Sequence, residues 1–428
     1  MDANSYAVGR FKAQCSKFSG IISKGLSKPL TRLVKEMTYG IQASKDVKLS
    51  NVCRVLQEPI PLIKTEDRLS RNLGSKDLTE HINNHILRLA DDKITDDMVI
   101  AIDPGDITKP YAKAMEHLCG IYDGSEGEPA VGYHLCQVTA ANLEHNKLVP
   151  LYCEAYSSRE QDYVGATKKI TRIISKVSQT IGRRGVWAID RQGDCKEIIH
   201  HFVTNELRFV TRLKQDRWLL TYNKSGGIVP VLANNLDKHM PIDYQATITK
   251  VDDGRTKTVK VKFGVGLVAL RGEYNTWFRA VVIKGFGANP MILLTNIEVD
   301  YDDPYAAYRV LEIYLTRWKC DECFRYIKQS YNLEDIRVRN YNAIRNTVAI
   351  VHAIAYFTSI YIGVNIKLRV MKRRIFFLSK KFFGIPAFYS YALADGIYEL
   401  LKRTRTGILK LVRHENHHSD FQLSLFPE

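Results

Sequence analysis

Two aspartates in this 428-residue chain follow short apolar runs, and their types and positions suit a divalent-metal site. Asp103 ends the run MVIAI in DMVIAIDPGDITKP, and Asp190 ends a second run in GVWAID. Each run predicts a buried strand, and functional groups collect at the carboxyl ends of strands in an α/β sheet. Two such carboxylates, with a third acid from a later helix, can share a pair of hard cations. The alternative is that each aspartate only caps the next turn. Asp106 competes for the first position, but only Asp103 directly ends the apolar run.

The third acid is expected in RWKCDECFRYIK, which runs from Arg317 to Lys328. On one continuous helix, with Asp321 as the zero angle, Tyr314 falls at about +20°, Arg317 at about −40° and Lys328 at about −20°. These four residues form one narrow polar stripe, and Glu322 lies about 100° away. An ordinary solvated face with i,i+4 Arg–Asp pairing is the alternative explanation.

The same stretch holds a Cys-x-x-Cys pair, Cys320 and Cys323. Structural zinc needs four ligands, and no second Cys-x-x-Cys exists in the sequence. At i and i+3 on a helix, two cysteines usually pack against the core. The eight cysteines of the chain show no disulfide framework, which favours a reducing cytoplasm.

Four positions together resemble a known family. The spacing Tyr314, two residues, Arg317, three residues, Asp321, six residues, Lys328 is similar to the Y-(2)-R-(3)-E-(6)-K signature of bacterial insertion-sequence transposases of the IS-four type. AIDPGDI resembles the first Asp block of these DDE transposases, VWAIDRQGD the second, and DITKPYAKAMEHLCGIYDGSEG one subgroup's text after the first Asp. The resemblance covers most of residues 30–350.

The resemblance implies an α/β fold with a ribonuclease-H-like mixed sheet, a β-rich insertion, a helical N-terminal domain and a helical C-terminal region. The implied enzyme cleaves DNA at the ends of its own element and joins them to target DNA, by cut-and-paste transposition. Asp103, Asp190 and Asp321 would hold two Mg²⁺ or Mn²⁺ ions. A homodimer is implied because two element ends must be brought together.

The resemblance also assigns DNA-binding residues. Arg317 and Lys328 would hold phosphates near the cut, and Tyr314 would brace the same strand. One departure matters: the family's last acid is Glu, whereas this chain has Asp321 followed by Glu322. Either acid could complete the site, or the enzyme could be impaired. A catalytically impaired DNA-binding relative and a metal-dependent nuclease without strand transfer therefore remain alternatives.

The order of predicted elements matches this organisation. Three strands, a helix, a strand, a helix and a strand follow a helical N-terminal stretch. The predicted regions are a helical DNA-binding domain (1–95), the first part of the catalytic core (96–213), the β-rich insertion (214–290), the last core strand with the catalytic helix (291–345), and C-terminal helices with a tail (346–428).

Composition points to the partner. Lys and Arg total 62 against 46 Asp and Glu, a formal charge of +16, which predicts a polyanion such as DNA. The first residues lack an apolar signal core, so a cytoplasmic, nucleoid-associated protein is expected. One apolar stretch, residues 347–364, is about long enough to span a bilayer. A buried helix is the preferred interpretation, and no membrane partner is predicted.

The C-terminal residues QLSLF resemble the short peptide that docks on the bacterial replication sliding clamp. Gln422 would form hydrogen bonds, and Leu423, Leu425 and Phe426 would supply the apolar anchor. The sliding clamp is therefore a predicted partner. The sequence does not indicate which terminal repeats or targets are used, or whether a hairpin forms on the second strand.

Overall fold

The computed structural model describes most of the chain. The described residues are 3–124, 126–144, 147–223, 225–252, 255–271, 276–362, 375, 390–402 and 407–408.

Five helices form the N-terminal region: α1 (Ala3–Ile22), α2 (Lys28–Ser44), α3 (Leu49–Leu56), α4 (Leu62–Gly74) and α5 (Thr79–Ala90). They agree with the helical stretch predicted from the sequence. Apolar residues of these helices belong to the same buried cluster as one face of the sheet described below. The Asn83 side chain on α5 both donates to and accepts from the backbone of Cys153 on a core strand. The N-terminal helices are thereby fixed to the core.

The core elements follow in the predicted order, with one additional strand. They are β1 (Val99–Thr108), β2 (Cys119–Asp123), β3 (Glu128–Ala141), β4 (Leu148–Tyr156), α6 (Ala166–Ile181), β5 (Val186–Ile189), α7 (Lys196–Thr204) and β6 (Phe209–Arg212). β1 pairs antiparallel with β3, and β3 pairs antiparallel with β2 and β4. On its other side β1 pairs parallel with β5, which pairs parallel with β6.

The predicted β-rich insertion extends the same sheet. Its strands are β7 (Trp218–Tyr222), β8 (Ile228–Leu232), β9 (Tyr244–Asp252), β10 (Arg255–Leu270) and β11 (Trp277–Lys284), and the last core strand is β12 (Met291–Thr295). The sheet order is β2-β3-β1-β5-β6-β12-β11-β10-β7-β8, with β4 on β3 and β9 on β10. The ribonuclease-H-like mixed α/β class with a β-rich insertion is therefore confirmed.

The remaining described helices are α8 (Pro304–Thr316), α9 (Trp318–Tyr331), α10 (Tyr341–Tyr356) and α11 (Ser390–Leu401). Strand alternation divides the buried residues of the sheet between its two faces. Ile100, Ile102 and Trp187 belong to the cluster shared with the N-terminal helices and α10. Val99, Val186 and Ala188 belong to a second cluster that α8 covers.

Two local expectations were wrong. Pro104 and Gly105 do not form a turn, because β1 continues to Thr108 and pairs with β3 along its whole length. Its pairing with β5 ends at Ala101, so Pro104 lies where the strand has one neighbour and proline is tolerated. The polar stripe also does not lie on one continuous helix. Arg317 separates α8 from α9, and the amide of Cys320 bonds back to the Arg317 carbonyl.

Most of the apolar stretch that was long enough to span a bilayer, residues 347–364, lies in the helical segment Tyr341–Tyr361. Among the described residues, this is the one helix that is long and apolar enough to cross a membrane, by length and composition only. In the structure, 89% of its apolar window is buried inside the protein. Asn346 on α10 donates to the carbonyls of Leu73 and Lys76 and accepts from the amide of Leu78. Such burial and polar bonding are those of a core helix, in agreement with the preferred interpretation.

Candidate active site

The strand register places Asp103 and Asp190 side by side. In the parallel pairing of β1 with β5, Val99 lies opposite Val186 and Ala101 lies opposite Ala188. Two residues further along, Asp103 and Asp190 follow at matching positions on the same face of the sheet. The Asp190 side chain accepts a hydrogen bond from the Gln192 amide, 2.9 Å away, which fixes the turn after β5. The two predicted strand-end carboxylates are thus brought together.

The third predicted carboxylate reaches this point from α9. The Arg317 guanidinium donates from Nη1 to Asp321 Oδ1 at 3.1 Å and to Asp103 Oδ1 at 3.3 Å. Gly105 lets α9 approach the strand, because a Cβ there would lie 3.2 Å from the Phe324 ring. Asp103, Asp190 and Asp321 therefore converge around one cation that belongs to the chain itself.

Within the described residues, Arg317 only partly balances the negative charge of these carboxylates. Burial raises the pKa of Asp103 well above the ordinary value, and the charges of Asp321 and Asp190 raise it further. Arg317 opposes this increase without cancelling it. Burial favours the neutral form of Arg317, yet Asp321 and Asp103 together raise its pKa above the ordinary value. A site with this balance favours additional positive charge.

The donor set fits Mg²⁺ or Mn²⁺ by chemistry, since all three side chains supply carboxylate oxygens and these metals prefer oxygen ligands. Within the described part of the chain, however, no three His, Cys, Asp or Glu side chains are arranged as a ready metal cluster. Arg317 explains this arrangement, because its guanidinium lies against both Asp103 and Asp321. A cation on these carboxylates would have to compete with it.

Lys328 and Asp106 form a second charged group beside the first. Lys328 Nζ lies 3.1 Å from Asp106 Oδ1 on β1 and 2.8 Å from Glu334 Oε1. Asp106 also accepts a hydrogen bond from the Gly124 amide at 3.3 Å. These contacts engage Asp106 away from Asp321, which favours Asp103 as the first acid. The role of Lys328 at a DNA phosphate stays a prediction.

Tyr314 lies on the other side of the helix break. It is 4% exposed and belongs to the apolar cluster between α8 and the sheet. The Arg317 guanidinium lies over its ring, 5.8 Å from the centroid. These contacts give Tyr314 a structural role in supporting Arg317. Its predicted contact with a DNA strand stays a prediction.

Glu322 points elsewhere than Asp321. Its carboxylate pairs with Lys319 on its own helix at 2.9 Å. Burial raises the pKa of Tyr391 on α11, Arg325 opposes this increase, and the charge of Glu322 adds to it. No described contact joins Glu322 to Asp103. This placement favours Asp321 as the third acid, while the assignment itself stays a prediction.

The two cysteines of this stretch are fully buried. Burial raises the pKa of Cys320 well above the ordinary value and that of Cys323 to about 12. Thiols in such surroundings remain protonated and are poor metal ligands or nucleophiles. The expectation that they pack against the core is met by their burial.

Sequence reasoning missed Lys109, which lies beyond the site on the same polypeptide segment as β1. Lys109 is 6% exposed, and its ammonium donates to the backbone carbonyls of Glu334 and Ile336, 2.8 Å from the latter. No sequence motif could have identified it, because its partners are main-chain atoms more than two hundred positions away. The predicted clamp-docking residues Gln422, Leu423, Leu425 and Phe426 lie outside the described residues.

No family model matches the chain, and no curated protein matches it. Among solved structures, the chain is similar to a piggyBac transposase, seen by cryo-EM in a synaptic complex with hairpin DNA. The sequence identity is 11%, the match covers 85% of this chain and 76% of that chain, and the TM-score is 0.42.

Proposed function

We propose that the protein is a DDE-type transposase that cleaves DNA at the ends of its own element and joins them to target DNA. The observation that carries the proposal is the convergence of Asp103 and Asp190, at matching positions on adjacent parallel strands, with Asp321 from α9. The four-position signature around Asp321 and the charge of +16 support a DNA substrate.

The chain's own residues would act as follows. Asp103, Asp190 and Asp321 would hold two divalent cations, Mg²⁺ or Mn²⁺. When bound, these cations activate the attacking water or 3′-hydroxyl and stabilise the leaving 3′-oxygen. Asp103 lies on β1, and Asp190 directly follows β5 in a turn that its hydrogen bond with the Gln192 amide stabilises, so the parallel pairing of the two strands sets their relative position. Arg317 would bind a DNA phosphate, for which a planar guanidinium is well suited.

The test is cleavage and joining of a duplex that carries the sequences flanking the coding region, with Mg²⁺ or Mn²⁺ and with EDTA as control. Asp103→Asn, Asp190→Asn and Asp321→Ala should each abolish cleavage, whereas Glu322→Ala should retain it. An inactive Glu322→Ala beside an active Asp321→Ala would overturn the assignment of the third acid. Cleavage without joining would indicate a nuclease.

One observation favours a second candidate, a catalytically impaired DNA-binding relative. Asp321 is one methylene shorter than the glutamate at the matching position of the family signature. This candidate predicts specific binding to the flanking repeats with no cleavage in either metal. Asp321→Glu is the discriminating variant, because it should raise cleavage if the shorter reach is the defect.

Two partners are part of the proposal. A homodimer would bring two element ends together, which sedimentation of the complex with end DNA would detect. The sliding clamp would bind QLSLF, and a pull-down with Leu425→Ala and Phe426→Ala tests this contact. Equal recovery of the wild-type chain and both variants would exclude it.

A cytoplasmic, nucleoid-associated location follows from the same proposal, and fluorescence microscopy of a tagged chain tests it.

A further inference from the structure

A groove of about 800 Å³ lies next to the candidate active site. One wall is the loop after β1, from Thr108 to Met115, and the other is the segment after α9, from Glu334 to Arg339. Lys328 connects the two places, because it contacts Asp106 on β1 and Glu334 in the groove wall. The groove therefore begins where the carboxylate site ends.

The two walls are fastened to each other at both ends. At one end Lys109 donates to the carbonyls of Glu334 and Ile336. At the other end the Glu116 amide donates to the Arg339 carbonyl at 2.9 Å, and the Glu116 carboxylate accepts from the Tyr341 amide at 2.7 Å. A groove held open in this way is formed before any ligand arrives, which lowers the ordering cost of binding.

The second wall presents a row of cations. In the extended sequence IRVRN, Ile336 is buried and Val338 packs against the core, so that the alternate residues Arg337 and Arg339 are exposed along the groove. Lys113 faces them from the first wall. Within the described residues, none of these three side chains forms an ion pair.

The acidic residues of the groove are mostly neutralised by other partners. Glu334 pairs with Lys328, and Asp335 pairs with Lys48. Asp123 accepts hydrogen bonds from the Thr108 hydroxyl and from a backbone amide. Glu126 also lines the groove, is exposed and has no ion pair among the described residues, so one carboxylate faces the three cations Arg337, Arg339 and Lys113. The excess of positive charge predicts an anion with several phosphates.

Tyr111 gives the groove a second chemical feature. It lines the cavity and is 94% exposed, the highest exposure among the large hydrophobic side chains described. A wholly exposed aromatic ring beside unpaired cations is the combination that binds a nucleotide strand, by stacking on a base and contacting its phosphates. A base inside a duplex is covered on both faces by the neighbouring bases. A single exposed aromatic ring therefore favours an unpaired strand.

We propose that this groove binds single-stranded DNA, with Tyr111 stacking on an unpaired base and Arg337, Arg339 and Lys113 contacting its phosphates. The proposal rests on the proposed function and identifies the path of a strand separated near the cut. Lys109 and Glu116 act as positioning residues, because they hold the walls and do not touch the strand.

The test uses fluorescence anisotropy with a labelled oligothymidylate of about 12 nucleotides, in EDTA, on the full chain. Tyr111→Ala should weaken binding roughly 5- to 150-fold, and Tyr111→Trp should restore it. The double variant Arg337→Gln, Arg339→Gln should reduce the slope of log affinity against log salt by about 1.4, or about 0.7 per lost phosphate contact. Tyr111→Ala should leave that slope unchanged.

Matched controls are Tyr305→Ala, another tyrosine that is 85% exposed, and Arg309→Gln, an exposed arginine on α8. Both should bind as the wild type does, and thermal melting checks that every variant is folded. Binding of Tyr111→Ala equal to that of Tyr305→Ala would overturn the proposal. Equal and Tyr111-independent binding of poly-glutamate would also overturn it, and would indicate a general anion surface.

The assay contains no divalent cation, so its result is independent of cleavage. If the chain does not cleave DNA but Tyr111→Ala and Tyr111→Trp behave as expected, the proposed function fails and the groove stands. If cleavage is observed and Tyr111→Ala binds normally, only the groove inference fails.

Discussion

Two carboxylates in the core, one partly buried and one fully buried, differ in how the surrounding charges act on them. The Asp103 side chain on β1 is 20% exposed and the Glu154 side chain on β4 is 2% exposed, and both strands pair with β3. Burial alone would raise the pKa of both. Around Glu154, Lys169, Arg172 and the Tyr152 hydroxyl outweigh burial and lower its pKa below the ordinary value. Around Asp103, Asp321 and Asp190 add to burial, and its pKa is raised.

The difference separates a structural acid from a proposed metal ligand. Arg172 lies 2.8 Å and Lys169 3.3 Å from the same Glu154 oxygen, and Tyr152 donates to the other oxygen at 2.6 Å. That group is complete without a ligand. Asp103 shares one guanidinium with Asp321, and this arrangement is stable only if more positive charge arrives or a proton is retained. Perturbed carboxylates of this kind mark functional sites.

The largest expected effect is on cleavage. Asp103→Asn should reduce cleavage by roughly 10³-fold or more, because it removes a proposed ligand of the cations that would stabilise the transition state. The free energy of unfolding in EDTA should stay equal or rise, because a poorly compensated charge is removed. Gel-based cleavage and urea unfolding measure the two effects. A variant that is both active and unchanged in stability would break the comparison.

Glu154→Gln should show the opposite behaviour. It leaves the buried Lys169 ammonium without its nearest carboxylate, so the free energy of unfolding should fall by about 2–4 kcal/mol. Cleavage by the folded fraction should persist. The control is Glu80→Gln, which removes the exposed partner of Lys176 and should cost less than about 0.5 kcal/mol. Equal losses for the two variants would show that Glu154 is not a structural charge.

Arg317→Gln tests whether the site carries more negative than positive charge. Without the guanidinium, Asp103, Asp190 and Asp321 have no described cation, and unfolding in EDTA should become easier by about 1–3 kcal/mol. Mn²⁺ should restore most of this loss, whereas Arg317→Lys should lose less because it keeps the charge. Thermal melting with and without Mn²⁺ measures both. A loss that Mn²⁺ leaves unchanged would mean that Arg317 acts only through packing.

The pH dependence should differ between the two acids. Folding raises the pKa of Asp103, so the folded chain keeps the Asp103 proton at pH values where the unfolded chain has lost it. The free energy of unfolding therefore falls as pH rises from the ordinary aspartate pKa to the raised one. The slope reaches at most about 1.4 kcal/mol per pH unit. Glu154 has a lowered pKa, so its contribution is lost only as pH falls below its ordinary range. Urea unfolding of wild type and Asp103→Asn in EDTA should diverge as pH rises, and parallel curves would contradict this account.

The smallest expected effect is that of Glu322→Ala. Its pair with Lys319 is partly exposed and local to one helix, so stability should change by less than about 0.5 kcal/mol. Cleavage should also be nearly unchanged. A loss of cleavage comparable to that of Asp321→Ala would place Glu322 in the site. The poorly balanced negative charge would then belong to a different carboxylate from the one proposed.

The sequence allowed Asp103 and Asp190 to be predicted as neighbours, because short apolar runs followed by an aspartate are local features, although β1 continues beyond Asp103 to Thr108. The helical stripe identified Asp321 and Arg317, and their i,i+4 contact survives in the structure. The break at Arg317 could not be predicted, since no proline or glycine marks it. It arises because α8 packs over the second apolar cluster while α9 packs against β1 and β3.

Other features depend on long-range contacts that a sequence does not display. The continuation of β1 through Pro104 and Gly105 depends on β3, and the groove walls depend on Lys109 bonding to distant main-chain carbonyls. The short strand β2, in the sequence CGIYD, was missed because a glycine-containing run of five residues carries a weak strand signal. Its position against β3 is again a tertiary effect.

Mn²⁺ titration followed by calorimetry tests the central claim most directly, which is that Asp103, Asp190 and Asp321 together require additional cations. Wild type and Glu322→Ala should bind Mn²⁺ alike. Asp103→Asn, Asp190→Asn and Asp321→Ala should each lose binding while remaining folded. Binding that survives in these three variants, or that is lost in Glu322→Ala instead of Asp321→Ala, would contradict the account.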